Sequence, residues 1–421
     1  MKAGINNKKG LVIVAVLWTI VVLMILVAVL GRKSRLDMKV SMARIEAVRC
    51  KWACRAGAEK AVAVLNEDET DNDSLLDLWS DSDEDFNDIP LENCLFNVRV
   101  IDEASKLNIN YATKDQLMGL QDMLEEIADA IIDWRDDNDN PNGLGVESGY
   151  YESLEFGYMA RNGPFRTIRE LLLVKDVTPE LFYGEDTNFN GVLDYNERDG
   201  DATPPIDDGD TELDLGWIAH LTCYTPAESA GQSSGNQSSE NQSSGNQSSG
   251  NQSSGNQSSG NQSSGNQSSD NQGSDNQDSQ NQDNQNQNNQ NQNNQNQNNQ
   301  NSSAQEYAKV NINTASEIVL TALLGGGEDA ESAALNIIAY RETAENGIEE
   351  ISELTSEGIL SNNVFSQIEN YITTSSDVFT IYCIATADRS GRPGARLQTE
   401  VVVNRSSRPY EVLFSYQGTN N

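Results

Sequence analysis

The chain has 421 residues, enough for two or three domains, and 65 acidic against 28 basic residues give it a net charge of −37. A chain this acidic repels polyanions and favours divalent cations, so we expect no nucleic-acid partner. Its only histidine is His220, and no cysteine–histidine spacing typical of zinc occurs, which argues against an enzyme.

The N-terminus combines a short basic head with a long apolar stretch. Two lysines and Gly10 precede an uncharged run from Leu11 to Leu30, which is long enough to span a bilayer. A secretory signal has a shorter apolar core and ends in small residues. The pattern therefore predicts a prepilin-type leader of residues 1–10, cut between Gly10 and Leu11, with a plain signal anchor as the alternative.

We expect a single-pass inner-membrane protein with the bulk of the chain in the periplasm. Basic residues follow the apolar run as well as precede it, so charge alone favours the reverse orientation. The rest of the sequence is typical of an extracytoplasmic protein, and we give that observation more weight.

A long helix and a strand come next. Apolar residues recur at helical spacing beyond the membrane stretch, which predicts one helix over 11–66 with an embedded first half and an amphipathic second half. The acidic run 67–88 is predicted to be a solvated loop. Alternation over 94–102 indicates a strand, so residues 67–103 are expected to form an acidic loop and the first strand.

An internal repeat indicates a helical domain. Residues 107–110 (Leu-Asn-Ile-Asn) and 310–313 (Val-Asn-Ile-Asn) each lead into helical periodicity that ends in an arginine, Arg135 in the first copy and Arg341 in the second. Asparagine or threonine ahead of each helix is able to cap its free amides. We expect the two copies to pack as one inserted all-α domain of helix-hairpin-helix or SAM-like type.

The two parts of this domain, 104–228 and 307–375, are separated by an Asn/Gln/Ser-rich tract over 229–306. The tract has almost no apolar residues to bury, so we expect a disordered linker with a root-mean-square span of roughly 50 Å. Strand-like runs within 376–421 complete a small antiparallel sheet. The predicted fold class is α+β: a pilin-like long N-terminal helix packed on this sheet, with the large all-α domain inserted.

Helix-hairpin-helix units in some proteins bind DNA through a glycine-rich hairpin that faces the phosphates. Only the second copy has such glycines, at 325–327, and Glu328 and Asp329 follow them directly. These carboxylates repel phosphate, so a membrane-anchored DNA-binding protein is a weak alternative.

The sequence leaves cysteine pairing open. Cys50 and Cys54 lie four residues apart on one helical face, while Cys223 and Cys383 each lie in an apolar strand-like run. The latter two would be able to pair in an oxidising compartment, but their positions in the sequence do not establish a bond.

The strongest chemical motif is a twelve-residue calcium-loop pattern over 186–197. Oxygen ligands occur at the alternate positions that wrap a hard cation, namely Asp186, Asn188, Asn190, Val192 through its carbonyl, Asp194 and Glu197. Gly191 allows the sharp turn at the sixth position. No clear exit helix follows, so we predict a structural Ca²⁺ site of modest affinity.

A second acidic cluster has the composition of a further cation site. Its carboxylates are Asp136, Asp137, Asp139 and Glu147, and carboxylate oxygens are ligands that Ca²⁺ prefers. A solvated loop explains these residues equally well, so both interpretations stay open.

In their order along the chain, these motifs resemble the minor pseudopilin K family of type II secretion systems. The resemblance rests on the junction at Gly10, the two Asn-Ile-Asn openings, residues 131–136 (Ile-Ile-Asp-Trp-Arg-Asp) and residues 163–174, which begin Gly-Pro-Phe. It covers nearly the whole chain except the Asn/Gln/Ser tract. Major pilins carry glutamate at the fifth mature position, where this chain has Ala15, and the family lacks that glutamate too.

The resemblance implies a minor pseudopilin at the tip of the type II secretion pseudopilus, which supports assembly and protein export across the outer membrane. It also implies bound calcium. The implied partners are two other minor pseudopilins, the major pseudopilin, the prepilin peptidase and the inner membrane. A minor pilin of a type IV pilus is the main alternative.

Overall fold

The computed structural model describes residues 8–68, 71–80, 82–186, 193–198, 200, 205, 213–229, 306–388 and 393–418. They belong to one compact unit formed by 1–230 and 306–421. The predicted linker 229–306 lies outside the described residues except at its two ends. Those ends pair as a short antiparallel ladder, in which Ser229 faces Glu306. The chain therefore leaves this unit and re-enters it at neighbouring positions.

The described part of the chain contains helices and strands in the following order. The helices are α1 Lys8–Glu67, α2 Asp83–Phe86, α3 Lys114–Met118, α4 Glu125–Arg135, α5 Ser148–Glu152, α6 Pro179–Tyr183, α7 Glu317–Leu323, α8 Glu328–Thr343, α9 Glu353–Ser356 and α10 Asn362–Ile368. The strands are β1 Ile89–Leu91, β2 Cys94–Asp102, β3 Leu107–Asn108, β4 Leu221–Thr222, β5 Glu228–Ser229, β6 Glu306–Tyr307, β7 Val310–Asn311, β8 Ile372–Thr373, β9 Val378–Asp388, β10 Pro393–Asn404 and β11 Glu411–Gly418.

Helix α1 is 60 residues long and contains the whole helix predicted over 11–66. Its N-terminal part is apolar and exposed, and an 18-residue window there has a mean hydropathy of 3.2. A helix of this length and composition is able to cross a membrane. Its C-terminal part packs small and apolar residues on the sheet: Cys50, Ala53, Cys54, Ala61, Val62 and Leu65.

Five antiparallel strands form the sheet in the order β1-β2-β9-β10-β11. Strand β2 alternates buried and exposed residues, as its sequence predicts, and its inward side chains Phe96, Val98 and Val100 share a core with α1. Strand β9 lies between β2 and β10 and is buried along most of its length. A long helix thus packs on a small antiparallel sheet.

Gly57 lets α1 approach the sheet closely. A Cβ atom at this position would lie 2.6 Å from Cys383 Sγ, 2.9 Å from Val98 Cγ2 and 3.0 Å from Phe96 Cδ2. We therefore expect Gly57→Ala to lower the free energy of unfolding by about 1–3 kcal/mol, because extra atoms in a close-packed core force their neighbours apart. Urea unfolding of the detergent-solubilised chain measures the change.

Gly149→Ala is the matched control for Gly57→Ala. Gly149 also lies in a helix, α5, but nothing lies within 4 Å of the added carbon. The only expected effect is a gain in helix propensity of less than about 1 kcal/mol. Equal destabilisation by the two variants would contradict the close contact at Gly57.

The acidic run 67–88 is not the solvated loop that its composition predicted. Trp79 is buried and packs edge to face on Phe379, with 5.1 Å between ring centroids and an interplanar angle of 67°. Asp73 is buried and pairs with Arg405 at 2.5 Å. Burial raises the pKa of Asp73 to about 7, although Arg405 acts in the opposite direction. The prediction failed because one aromatic anchor and one buried ion pair order a segment that is otherwise polar.

The first Asn-Ile-Asn segment, residues 108–110, forms hydrogen bonds within itself and to the backbone of Phe165, which is distant in the sequence. The Asn110 amide donates to Asn108 Oδ1 at 2.9 Å, which forms a tight side-chain turn. The Asn110 side chain then exchanges two hydrogen bonds with the backbone of Phe165, at 2.7 and 3.1 Å. At the end of α4, Arg135 donates back to the carbonyl of Ile109.

The second opening repeats these contacts. The Asn313 side chain exchanges two hydrogen bonds with the backbone of Ile348, at 2.8 and 2.9 Å. Arg341, near the end of α8, donates to the carbonyls of Ile312 and Ala315 at 2.8 and 2.7 Å. The same residue types therefore lock both copies in the same way.

The two copies pack as one helical domain around one hydrophobic core. A two-stranded parallel ladder closes each copy, β3 with β4 in the first and β7 with β8 in the second. Helices α3 and α7 meet where Gly119 lies against Ala322, since a Cβ on Gly119 would lie 2.6 Å from the Ala322 Cα atom. Small residues therefore allow the two copies to come together.

The buried carboxylate of Asp102 links the sheet to the helical domain. One of its oxygens accepts a hydrogen bond from the Ala104 amide at 2.7 Å. The other accepts from Asn311 Nδ2, Thr314 Oγ1 and Ser376 Oγ at 3.0, 2.5 and 2.7 Å. Asp102 ends β2, whereas Asn311 and Thr314 open the second helical copy. The end of the strand is thereby tied to the start of that copy.

Cys223 and Cys383 do not pair, and all five cysteines are free in the structure. Cys223 packs against the core of the helical domain, whereas Cys383 lies in the core between α1 and the sheet. The pairing hypothesis is wrong because the two apolar runs enter different cores. Cys50 and Cys54 are buried against the sheet.

Candidate functional site

Helix α4 and the loop that follows it bring carboxylates together. Asp133 lies in the last turn of α4, Asp136 is the residue that ends it, and Glu147 precedes α5. Asp133 and Asp136 share a helix face because they are three residues apart. The loop from 137 to 146 then returns the chain, so that Glu147 faces both of them.

Carboxylate oxygens of Asp133, Asp136 and Glu147 all lie within 4.8 Å of one another. Asp133 is fully buried and Glu147 is 7% exposed. Asn142 donates to Asp133 Oδ1 through its amide at 2.9 Å and through Nδ2 at 2.8 Å, and Nδ2 also contacts Asp136 Oδ2 at 3.2 Å. Asp133 Oδ2 and both oxygens of Glu147 are buried and accept no hydrogen bond.

This arrangement is electrostatically unfavourable without a cation. Burial, followed by repulsion from Asp133, Asp136 and Asp139, raises the pKa of Glu147 to about 7. Burial also raises the pKa of Asp133, against the hydrogen bonds from Asn142. Native proteins seldom leave buried carboxylate oxygens without a partner. Three convergent carboxylates are the donor set of a hard divalent cation, and Ca²⁺ accepts them most readily.

Two glycines shape the loop around these carboxylates. A Cβ on Gly145 would lie 2.1 Å from Asp133 Oδ2, the atom that accepts no hydrogen bond. Gly143 has φ of +51°, and its Cβ would lie 2.2 Å from Asp129 Oδ2. Only glycine permits so close an approach, so the loop wraps the carboxylates as a cradle.

The predicted second cluster is therefore partly reassigned. The structure brings Asp136 and Glu147 together, but Asp137 and Asp139 are exposed and outside the group of three. Asp133 takes their place. Sequence reasoning missed Asp133 because it lies within the apolar pattern of a helix, although its spacing of three from Asp136 indicates a shared helix face.

The calcium-loop pattern over 186–197 is described only at its two ends. Asn188, Asn190 and Val192 lie outside the described residues. Asp186 is buried, and it lies 4.0 Å from Arg99 Nη1 on β2. Glu197 is 1% exposed and accepts a hydrogen bond from the Asp194 amide at 2.9 Å.

The charges at the two ends of this pattern influence each other. Burial raises the pKa of Glu197, and the charges of Asp186, Asp194 and Glu185 add to the increase. Ca²⁺ binding by this loop stays a prediction.

Two further predicted features have a place in the structure. Gly10 and Leu11 lie in the first turns of α1, and cleavage between them stays a prediction. His220 is buried, with Nδ1 3.3 Å from Ser316 Oγ. Burial lowers the pKa of His220 to about 4, so this ring stays neutral at physiological pH.

Comparison with known proteins finds a family model that matches part of this chain and a solved structure with a similar fold. The family model for Type II secretion system (T2SS), protein K matches residues 94–183. A chain of the GspK-GspI-GspJ complex from the enterotoxigenic Escherichia coli Type 2 Secretion System has a similar structure. The similarity covers 90% of this chain and 99% of that one, with a TM-score of 0.51 and 13% sequence identity. No curated protein matches in sequence.

The class is that of proteins with a pilin-like helix and sheet that carry a helical insert, and the predicted α+β fold is confirmed. More particularly, residues 94–183 match the family model for type II secretion system protein K, the family that the sequence resembles. The Asp133, Asp136 and Glu147 cluster lies within the matched residues. These findings support a minor pseudopilin in type II secretion.

Proposed function

We propose that this minor pseudopilin occupies the tip of the type II secretion pseudopilus and there supports assembly and protein export across the outer membrane. The observation that carries the proposal is a protein K domain inserted in a fold whose first helix exposes an apolar segment of membrane length. Such a helix anchors the subunit in the inner membrane before assembly and packs in the fibre afterwards. The bulk of the chain then lies in the periplasm.

Residue Ala15 supports a position at the tip. In a major pilin the glutamate at the fifth mature position neutralises the N-terminal amine of a neighbouring subunit. An unpaired charge in a low-dielectric core costs several kcal/mol, on the order of the penalty for a broken buried ion pair. A subunit with no neighbour above it needs no such glutamate. The bulky helical domain would also block the addition of a further subunit.

The proposed partners follow from this position. The structure with a similar fold belongs to a complex named for three proteins, GspK, GspI and GspJ. We infer that this chain likewise assembles with two other minor pseudopilins, which join it to the major pseudopilin. The prepilin peptidase would act on it earlier, at the junction of Gly10 and Leu11.

Calcium has a structural role in the proposal. The buried carboxylates of Asp133, Asp136 and Glu147 would hold one Ca²⁺ ion, which supplies the positive charge that their unpartnered oxygens lack. The loop over 186–197 would hold another. Neither site suggests catalysis, since Ca²⁺ here only orders the loops that it binds.

Complementation in the native cell tests the function. Deletion of the gene should stop export of type II substrates, and the wild-type chain, found with Leu11 at its N-terminus, should restore it. Gly10→Val should leave the leader attached and fail to restore export, because the peptidase would no longer find glycine before the cleaved bond. Gly4→Val, in the leader but away from the junction, is the matched control and should complement.

Two results would contradict this function. One is a mature chain that retains Met1. The other is a deletion strain that loses surface pili but exports type II substrates normally, which would favour the type IV pilus alternative.

A further inference from the structure

The helix-to-sheet contact contains two cysteines from distant parts of the chain. Cys50 lies in α1 and Cys94 is the first residue of β2, and their sulfur atoms are 3.9 Å apart. Both side chains are buried, with 0% and 3% exposed. The two sulfurs thus touch inside a close-packed core, at the point where the pilin helix leaves the region that faces the sheet.

We propose that Cys50 and Cys94 form a disulfide bond that fastens α1 to the start of β2. A bonded sulfur pair is separated by about 2.05 Å, so closing the contact needs a relative shift of about 2 Å. The proposal rests on the proposed function in one respect, because a periplasmic domain folds in an oxidising compartment where disulfides persist.

The bond forms by exchange with a disulfide of an oxidising protein. The Cys50 thiolate attacks one sulfur of that disulfide, and a mixed disulfide results. The Cys94 thiolate then attacks Cys50 Sγ and releases the oxidant as a dithiol. Two electrons pass to the oxidant, and the two protons lost by the cysteines are taken up by its thiolates. Because both sulfurs are buried in the folded chain, the exchange takes place before α1 docks on the sheet.

Two further cysteines lie in the same core. Cys54, one turn further along α1, directs its thiol at the carbonyl oxygens of Cys383 and Leu397, at 3.4 and 3.5 Å, and its side chain also interacts with the Cys383 thiol. Cys223 packs in the core of the helical domain. Cys50 and Cys94 are separated by 44 residues in sequence, so the bond would close a long loop. A cross-link of this length constrains the unfolded chain and stabilises the folded one.

Peptide mass mapping tests the bond directly. The full chain is extracted from membranes of its native cell and denatured in the presence of iodoacetamide, which blocks free thiols. It is then digested with trypsin without reduction. Trypsin cuts after Arg49, Lys51 and Arg55, which places Cys50 and Cys54 on different peptides. We expect the dipeptide 50–51 joined to peptide 61–99, two hydrogen atoms lighter than their sum. Alkylated Cys50 and Cys94, or Cys50 joined to Cys54, would overturn the proposal.

A thermal measurement provides the second readout. Reduction should lower the melting temperature of the wild-type chain and of Cys223→Ala, which leaves the bond intact. It should not lower that of the double variant Cys50→Ala/Cys94→Ala. An equal effect of reduction on all three would overturn the proposal. The N-terminus of the same preparation keeps the two hypotheses apart: a chain that starts at Leu11 with free Cys50 contradicts the disulfide and leaves the pseudopilin function standing.

Discussion

Addition of Ca²⁺ should raise the melting temperature of this protein, and Glu147→Gln should remove the part of the rise that comes from the cluster of Asp133, Asp136 and Glu147. Binding to the folded state alone stabilises it by about 2.7 kcal/mol at a calcium concentration 100-fold above the dissociation constant. In EDTA the same variant should be more stable than the wild type, because it removes one of three mutually repelling carboxylates. Scanning fluorimetry in EDTA and in calcium measures both effects.

The matched control is Asp137→Asn, which changes an exposed carboxylate of the same loop. It should leave the calcium-induced rise unchanged. The variant Glu197→Gln, which alters the last ligand of the loop over 186–197, separates the contribution of the other predicted site. If Glu147→Gln lost stability in EDTA and kept the full calcium response, the cluster would not be a metal centre.

The calcium effect should also depend on pH. The pKa of Glu147 is raised from 4.5 to about 7 in the metal-free folded state, so between these values the folded state binds more protons than the unfolded state. In EDTA, the free energy of unfolding should therefore be highest at low pH, where Glu147 is protonated. It should fall as the pH rises from about 4.5 towards 7. Calcium needs the carboxylate, so its apparent affinity should rise with pH up to about 7 and level off above it.

Asp102→Ala should have the largest effect on stability. The substitution removes the acceptor shared by four buried donors: the Ala104 amide, Asn311 Nδ2, Thr314 Oγ1 and Ser376 Oγ. Asn311 Nδ2 keeps the carbonyl of Asp73 at 3.0 Å, and Thr314 Oγ1 keeps only a long contact of 3.4 Å with the carbonyl of Asn311. A buried donor that loses its partner costs about 1–3 kcal/mol, and relaxation of neighbours reduces the sum, so we expect a loss of about 3–5 kcal/mol. Urea unfolding followed by tryptophan fluorescence measures it.

Asp115→Ala is the control for Asp102→Ala. Asp115 lies exposed in the first turn of α3, where its charge only complements the helix dipole, so the expected loss is below about 1 kcal/mol. Since Asp102 ties the sheet to the second helical copy, its loss should also make the junction near residues 103–106 more sensitive to protease. Equal losses in the two variants would show that the buried carboxylate does not hold the two parts together.

The regular elements and the repeat were predictable because each has a local cause. Alternating residues specify β2, apolar periodicity specifies α1, and the Asn-Ile-Asn openings imply two similar helical units. The acidic run 67–88 was not predictable, because its order depends on Trp79 meeting Phe379 and Asp73 meeting Arg405, about 300 residues later in the chain. Composition records none of these long-range contacts.

The candidate metal centre was also predictable only in part, where local sequence determines it. Asp136 and Glu147 stood out by local charge density, and the structure brings them together. Local density also suggested Asp137 and Asp139, because sequence alone does not show which carboxylates a loop turns inward. The loop is able to close on the Asp133 carboxylate because Gly145 has no side chain to occupy that space. A helical spacing of three between Asp133 and Asp136 was the available signal.

The position of β9 has a consequence for biosynthesis. This strand pairs with β2 on one side and β10 on the other, yet the whole helical domain separates β2 from β9 along the chain. The ribosome completes α1, β2 and both helical copies before β9 is made, so the core beneath α1 closes last. A chain terminated before Val378 would keep its apolar anchor and its helical domain but lack the central strand. Such a product would leave one face of α1 uncovered, a ready substrate for quality-control proteases.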